Sequence, residues 1–271
     1  MLYHYTPLNA LLGICRDRKL VFWATRYNCL NDPLEFAMYK KLQSYAKEFC
    51  LDNGLPYDAD FEVHPYIISF CKKRDDLTMW RLYGSEGNGI MLSLDYEVLE
   101  KSHFAVTTDN TGQQKRLHND YLMPVEYYNE DTELEKYNLC LEHFVAKYSL
   151  DAQDALLTTC AFIKRDDYEI EGEYRYARMN YNGFEANGPE NMIDYSEMGM
   201  DVLYRTRGNS IVPYIEVELP TNVLKEIILG YQMDDSSVEQ LKNVLQNRGY
   251  RDVVIRFSKF TQRSPLPIAL L

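Results

Sequence analysis

The sequence predicts an α+β fold with mixed or antiparallel sheets and a helical insertion. Three observations carry this. Short strand-like runs such as 66–71 and Ile90–Leu94 do not alternate strictly with helices, as a doubly wound parallel sheet would require. No repeat, low-complexity tract or Pro/Gly/Ser-rich linker divides the 271 residues, so a single domain over 1–271 is expected. The long helical stretches are confined to about 33–51 and 132–163, which read as insertions.

Thr6-Pro7 is a helix-opening pair, because Thr caps free backbone N–H groups and Pro is preset for the first helical position. Leu8, Leu11, Leu12 and Cys15 then share a face. Residues 20–23 read as a strand, Asn31-Asp32-Pro33 as a turn, and 33 to about 51 as a helix. A polar connection over 52–65 precedes the strand at 66–71. Asp75-Asp76 caps a short helix over Leu77–Tyr83 that stops at Gly84, and a loop with Gly87 and Gly89 enters strand Ile90–Leu94. Residues 102–120 read as an exposed connection, 121–128 as extended chain, and 132–163 as one or two helices. Further strands are predicted at 174–179, 211–219, 225–229 and 251–257, with a long loop over 180–209. Asp235 or Ser236 caps a last helix with Val238, Leu241, Val244 and Leu245 on one face.

Composition narrows the function classes. With 41 acidic and 29 basic residues the formal charge is −12, which argues against broad attraction to nucleic acid or anionic membrane. Apolar content of 46% and charged content of 26% exclude wholesale disorder. The six cysteines form no CxxC pair, and no His-x-x-x-His spacing accompanies them, so no metal site is expected. There is no basic leader followed by an apolar run, and no run near the roughly 18 residues that cross a bilayer. A soluble protein of a reducing cytoplasm, without a membrane partner, is expected. No GxSxG, HExxH, Walker loop or acidic calcium loop is present.

Three features could carry chemistry. Glu169, Glu171 and Glu173 recur at period two, so in a strand all three would share one face, with Arg175 following. Two readings stand side by side: a solvated, charge-protected edge, or a carboxylate held in a cleft by Arg175 to stabilise developing positive charge. The second feature is Tyr3-His4-Tyr5-Thr6, where His4 suits either a structural hydrogen bond or a ligand contact. The third is Trp80-x-x-Tyr83-Gly84, whose following glycines precede a strand and so do not match a dinucleotide fingerprint.

Together these features resemble the uncharacterised bacterial family catalogued as domain of unknown function 2971. The resemblance runs from the opening Leu2-Tyr3-His4-Tyr5-Thr6 through Asn31-Asp32-Pro33-Leu34-Glu35, Ser69-Phe70 and Met79-Trp80-x-x-Tyr83. It continues through Lys164, Tyr168 and Glu171-x-Glu173-x-Arg175 to Pro213-Tyr214, residues 226–230 and Gly249-Tyr250. The layout is similar to the His-Tyr-Glu branch of the ADP-ribosyltransferase superfamily. That likeness implies NAD as substrate, no metal, and a macromolecular acceptor, protein or nucleic acid, with a toxin or phage-defence role and an antitoxin partner. Carried over residue by residue, His4 holds the NAD ribose and Tyr83 stacks on nicotinamide, with Tyr5 or Tyr3 as alternatives. Glu173 binds the nicotinamide-ribose 2′-hydroxyl and Glu171 orients the acceptor, either being open as the catalytic group. Arg26 suits a pyrophosphate contact by its chemistry alone. The competing expectation is a non-catalytic nucleotide- or protein-binding module in which Glu171, Glu173 and Arg175 form a structural ion-pair network.

Overall fold

A ten-residue strand, Glu62–Cys71, organises the architecture, and the other elements are best placed relative to it. The computed structural model describes residues 1–30, 33–59, 62–103, 106–108, 114–116, 120–129, 152–182, 201–234 and 236–261. Its strands are β1 (Leu2–Thr6), β2 (Cys15–Arg16), β3 (Lys19–Arg26), β4 (Glu62–Cys71), β5 (Ile90–Leu94), β6 (Val106–Thr108), β7 (Gln114–Arg116) and β8 (Asp120–Pro124). They continue with β9 (Glu126–Tyr128), β10 (Ile163–Arg165), β11 (Glu173–Asn182), β12 (Leu203–Arg207), β13 (Ser210–Pro220), β14 (Leu224–Leu229) and β15 (Val254–Phe257). The helices are α1 (Leu11–Ile14), α2 (Pro33–Asp52), α3 (Leu77–Tyr83), α4 (Tyr96–His103), α5 (Ala152–Thr159) and α6 (Ser236–Asn247). The fold is mixed α+β.

The main sheet runs β12-β13-β3-β4-β1-β5-β14-β15, with β2 added to β3, β11 to β4 and β8 to β11. It is antiparallel except where β14 meets β15. Along one edge β4 pairs with β11 for its whole length, from Glu173 opposite Cys71 to Asn182 opposite Glu62. The other edge is divided. β3 takes Tyr66 and Ile67, β1 takes Cys71, and residues 68–70 lie where the two neighbours part. A backbone carbonyl left without a strand partner needs another donor, and Ser69 O receives one from His4 Nδ1 at 2.9 Å.

Period-two alternation separates the two faces. One carries the largest core, where Leu2, Phe22, Phe70, Leu92 and Ile227 meet Leu11 of α1, Leu99 of α4 and Leu241 and Leu245 of α6. Each such side chain contributes roughly 1.5–3 kcal/mol by leaving water. The opposite face carries two smaller cores on either side of the split. Ile67, Ala177 and Met179 pack under Leu42 of α2 and Leu156 of α5. Tyr5, Cys71, Met91 and Ile228 pack under Met79 and Trp80 of α3. Among the described residues no helix is long and apolar enough to cross a membrane.

Local chemistry explains α3. Asp76 Oδ1 accepts from Thr78 N and Met79 N, and Gly84 closes the helix. Asp75 is buried and binds Trp80 Nε1 at 2.7 Å and Ser258 Oγ at 2.6 Å, so Trp80 is structural. The loop after α3 is packed against the end of β1: a Cβ on Gly89 would stand 2.4 Å from Thr6 O and 2.8 Å from Gly84 O. Gly89→Ala is therefore expected to lower unfolding free energy by roughly 1–3 kcal/mol, the usual cost of overpacking. Denaturant unfolding measures it, and an unchanged midpoint would contradict this packing.

Several expectations are corrected. Thr6 ends β1 instead of capping a helix, and the chain turns through Pro7 into a 3-10 turn, Leu8–Ala10, without a side-chain cap. The helix expected to reach 163 ends earlier, and Ile163–Arg165 is a strand. α4 lies in a stretch where no helix was expected, capped by Asp95 Oδ1 on Glu97 N and Val98 N. Strands β6, β7 and β12 fall within stretches expected to be connections. Asn31, Asp32, Asp235 and the helix expected over 132–151 lie outside the described residues.

Candidate functional site

The acidic segment is not a continuous strand. Asp166–Glu171 winds as a 3-10 turn, Gly172 adopts φ 54° and ψ 48°, and β11 begins only at Glu173. That left-handed conformation favours glycine. It swings the chain so that Glu171 and Glu173 are both buried while Glu169 stays exposed, which corrects the expectation of three carboxylates on one strand face.

The two buried acids meet two buried bases. Lys164 of β10 reaches Glu171 Oε2 at 2.8 Å and Glu173 Oε2 at 3.2 Å. Arg175 grips Glu173 with Nε on Oε1 at 2.8 Å and Nη2 on Oε2 at 3.0 Å, and donates Nη1 to Ala161 O. Tyr83 donates its hydroxyl to Glu171 Oε1 at 2.6 Å. Tyr127 OH accepts from Glu173 N at 2.8 Å. Exposures of 7% for Lys164, 5% for each glutamate and 1% for Arg175 make full pairing obligatory, since an unpaired buried charge is costly. Burial by itself would raise the Glu173 pKa. The Arg175 and Lys164 charges, with hydrogen bonds from Arg175 and Ser69, override it and hold the carboxyl at about 2.

These groups form one wall of a pocket of about 630 Å³ set in the split between β1 and β3. Such a volume suits a ligand, for which roughly 300–1,000 Å³ is usual. Pairing and alternation place Glu173, Arg175, Ser69, Tyr3, Thr25 and Trp23 on one face of the sheet. His4 lies on the opposite face by the same count, yet it lines the pocket through the split. Its ring packs edge-on against Phe22 and Phe70. Burial lowers its pKa, against the hydrogen bond to Ser69 that raises it. Because a carbonyl only accepts, Nδ1 carries the proton, and Nε2 of the neutral ring is an acceptor.

Tyr83 and Tyr5 also line the pocket, with different duties. The Tyr83 hydroxyl is committed to Glu171, leaving the ring as wall. The Tyr5 hydroxyl donates to Lys73 O and accepts from Asp76 N, each at 2.8 Å, while its ring meets Trp80 edge-on. It therefore braces the start of α3. Arg26 is not among the lining residues: it follows Thr25 on β3 and so faces the other way. Among the described residues, the cations that line the pocket besides Lys164 and Arg175 are Arg205 and Arg207 of β12. Sequence reasoning missed both, although Arg-x-Arg before Gly208-Asn209 is a strand-and-hairpin signal. Trp23 carried no local signal of a site, while Ser69 and Lys164 stood out only as part of the family resemblance and without a role. Among the described residues no group of three or more His, Cys, Asp or Glu could hold a metal ion.

The class defined so far is a mixed α+β protein with a mostly antiparallel sheet and a charged pocket in its split. Residues 79–176 match the model of a family described as protein of unknown function (DUF2971). The matched stretch holds Tyr83, Lys164, Glu171, Glu173 and Arg175, but neither His4 nor the β12 arginines. No curated protein and no solved structure matches the chain.

Proposed function

We propose that the pocket binds NAD and that the protein is an ADP-ribosyltransferase-like enzyme acting on a macromolecular acceptor. The carrying observation is the pair of buried carboxylates sharing a ligand-sized pocket with His4 and Tyr83.

In this reading the C1′–N bond of the nicotinamide riboside breaks, and its electron pair leaves with nicotinamide, discharging the pyridinium. Positive charge develops at C1′, as in glycoside hydrolysis, and an ionised carboxylate opposite stabilises it. Glu173, with its carboxyl held near 2, is ionised at neutral pH. An acceptor nucleophile then bonds to C1′ and gives up its proton. Glu171 suits that step: among the described residues Tyr83 and Lys164 donate to it, one on each oxygen, and a carboxylate has about four acceptor positions. The Tyr83 ring is the surface for nicotinamide, and His4 Nε2 an acceptor for a ribose hydroxyl.

One observation favours a second reading, a nucleotide-binding module without turnover. Arg175, Lys164 and Ser69 together fill the acceptor positions of Glu173, as a structural network would. Nicotinamide release separates the two. The purified protein incubated with NAD is expected to release nicotinamide or label an acceptor. Glu173→Gln is expected to slow this on the order of 10²–10³-fold, with its melting transition checked in parallel. Release that survives the substitution removes Glu173 from the chemistry. Stabilisation by NAD without release favours the module.

A further inference from the structure

We infer that Arg205 and Arg207 form an anion subsite at the far side of the pocket from the glutamates, built to take the diphosphate of a nucleotide. The inference deepens the nucleotide reading of the same pocket, but it stands on the β12 arginines themselves.

β12 and β13 are joined by Gly208-Asn209, with Gly208 at φ 57° and Arg207 opposite Ser210. Register carries this hairpin onto β3: Leu203 opposes Tyr214, and Tyr214 opposes Thr25. Arg205 and Arg207 therefore share the face of Thr25 and Trp23, the face that also presents Glu173 and Arg175 across the split. Two strand residues on one face are roughly 7 Å apart along the chain, so the pair suits an anion with more than one charged group better than a lone carboxylate. Guanidinium is also the side chain best shaped for phosphate oxygens.

Arg205 is held ready. Its Nη2 donates to Thr25 Oγ1 at 2.8 Å, and its guanidinium lies 5.3 Å from the Trp23 ring centroid and 5.6 Å from that of Tyr214. Its Nε is buried with no hydrogen-bond partner among the described residues, a donor that an incoming anion could satisfy. Burial and the neighbouring Arg207 charge both disfavour its cationic form, as expected where positive charge is concentrated without a counterion. Arg207 is exposed and donates to the Cys29 and Leu30 carbonyls. Neither arginine has a carboxylate partner among the described residues. Glu216, on the same face of β13, is taken by Arg16 and Trp23 Nε1. Lys164 and Arg175, by contrast, are neutralised by the two glutamates. In a chain of net charge −12, this leaves β12, among the described residues, as the uncompensated positive wall of the pocket.

Calorimetric titrations with ADP, adenosine and inorganic pyrophosphate test this on the full chain and on Arg207→Gln, an exposed position, with its melting transition checked in parallel. ADP is expected to bind about tenfold or more tightly than adenosine, the worth of a charge-assisted hydrogen bond or two. Arg207→Gln is expected to remove most of that difference while leaving adenosine affinity unchanged, and added salt to weaken ADP alone. Equal affinity for ADP and adenosine, or ADP binding indifferent to Arg207→Gln, would overturn the subsite. So would pyrophosphate binding as tightly as ADP, which would mark a simple inorganic-anion site. The two proposals fail separately: ADP binding without nicotinamide release keeps the subsite and removes the transferase, while release with an NAD KM untouched by Arg207→Gln does the reverse.

Discussion

Replacing Lys164 with Met is expected to cost about 3–5 kcal/mol of stability, the penalty for breaking a buried ion pair from one side. Lys164 Nζ is the cation common to Glu171 Oε2 and Glu173 Oε2, and all three side chains are less than a tenth exposed. Without it, two buried carboxylates are left with Arg175, which already grips Glu173 with two nitrogens. Like charges that close cannot both stay ionised in a poor solvent, so one takes up a proton and its pKa climbs. Domains commonly hold only 5–15 kcal/mol in all, so the loss should appear as a large fall in the denaturant midpoint. Adding Glu171→Gln to Lys164→Met should recover part of it, because the second change removes the stranded charge. A Lys164→Met protein as stable as the parent would show that the buried quartet does not hold as described.

The second large effect is on the acid side of the stability profile. The Glu173 carboxyl is lowered from the ordinary 4.5 to about 2 in the folded chain. A group depressed in this way stabilises the fold fully above its unfolded value, and that contribution disappears as pH falls through the folded one. The window is therefore about 4.5 down to about 2, and the free energy on the order of 3 kcal/mol. Unfolding titrated across that range should be steep for the parent and distinctly flatter for Glu173→Gln. Glu216, lowered by its hydrogen bond from Arg16, adds a smaller effect of the same sign because water reaches it. His4, lowered by burial, starts to cost stability earlier, as pH drops below the ordinary 6.5. Parallel profiles for parent and Glu173→Gln between pH 4.5 and 2 would contradict the pairing.

How much of this was legible in the sequence depends on how local the cause is. Ile90–Leu94 was readable from its apolar run, and α3 from Asp76 and Gly84, because strand type and capping act within a few residues. The acidic segment was half readable. Glu171, Glu173 and Arg175 were singled out, but one left-handed glycine between the two acids changed which carboxylates are buried. The split in the sheet was not readable at all. It depends on where β3 and β1 leave β4, a matter of register between paired residues forty or more positions apart. The same long-range pairing decides that Arg26 turns away from the pocket while Arg205, 179 positions later, lines it. Lys164 was noticed only through the family resemblance, and its role was not legible for a similar reason, since its partners are set by how β10 docks beside the start of β11.

The most direct measurement is a crystal structure of the protein with a slowly reacting NAD analogue. Occupancy of the split is predicted, with the nicotinamide ribose within hydrogen-bonding distance of Glu171 or Glu173 and the nicotinamide ring against Tyr83. An analogue bound elsewhere, or a pocket left empty at saturating concentration, would contradict it.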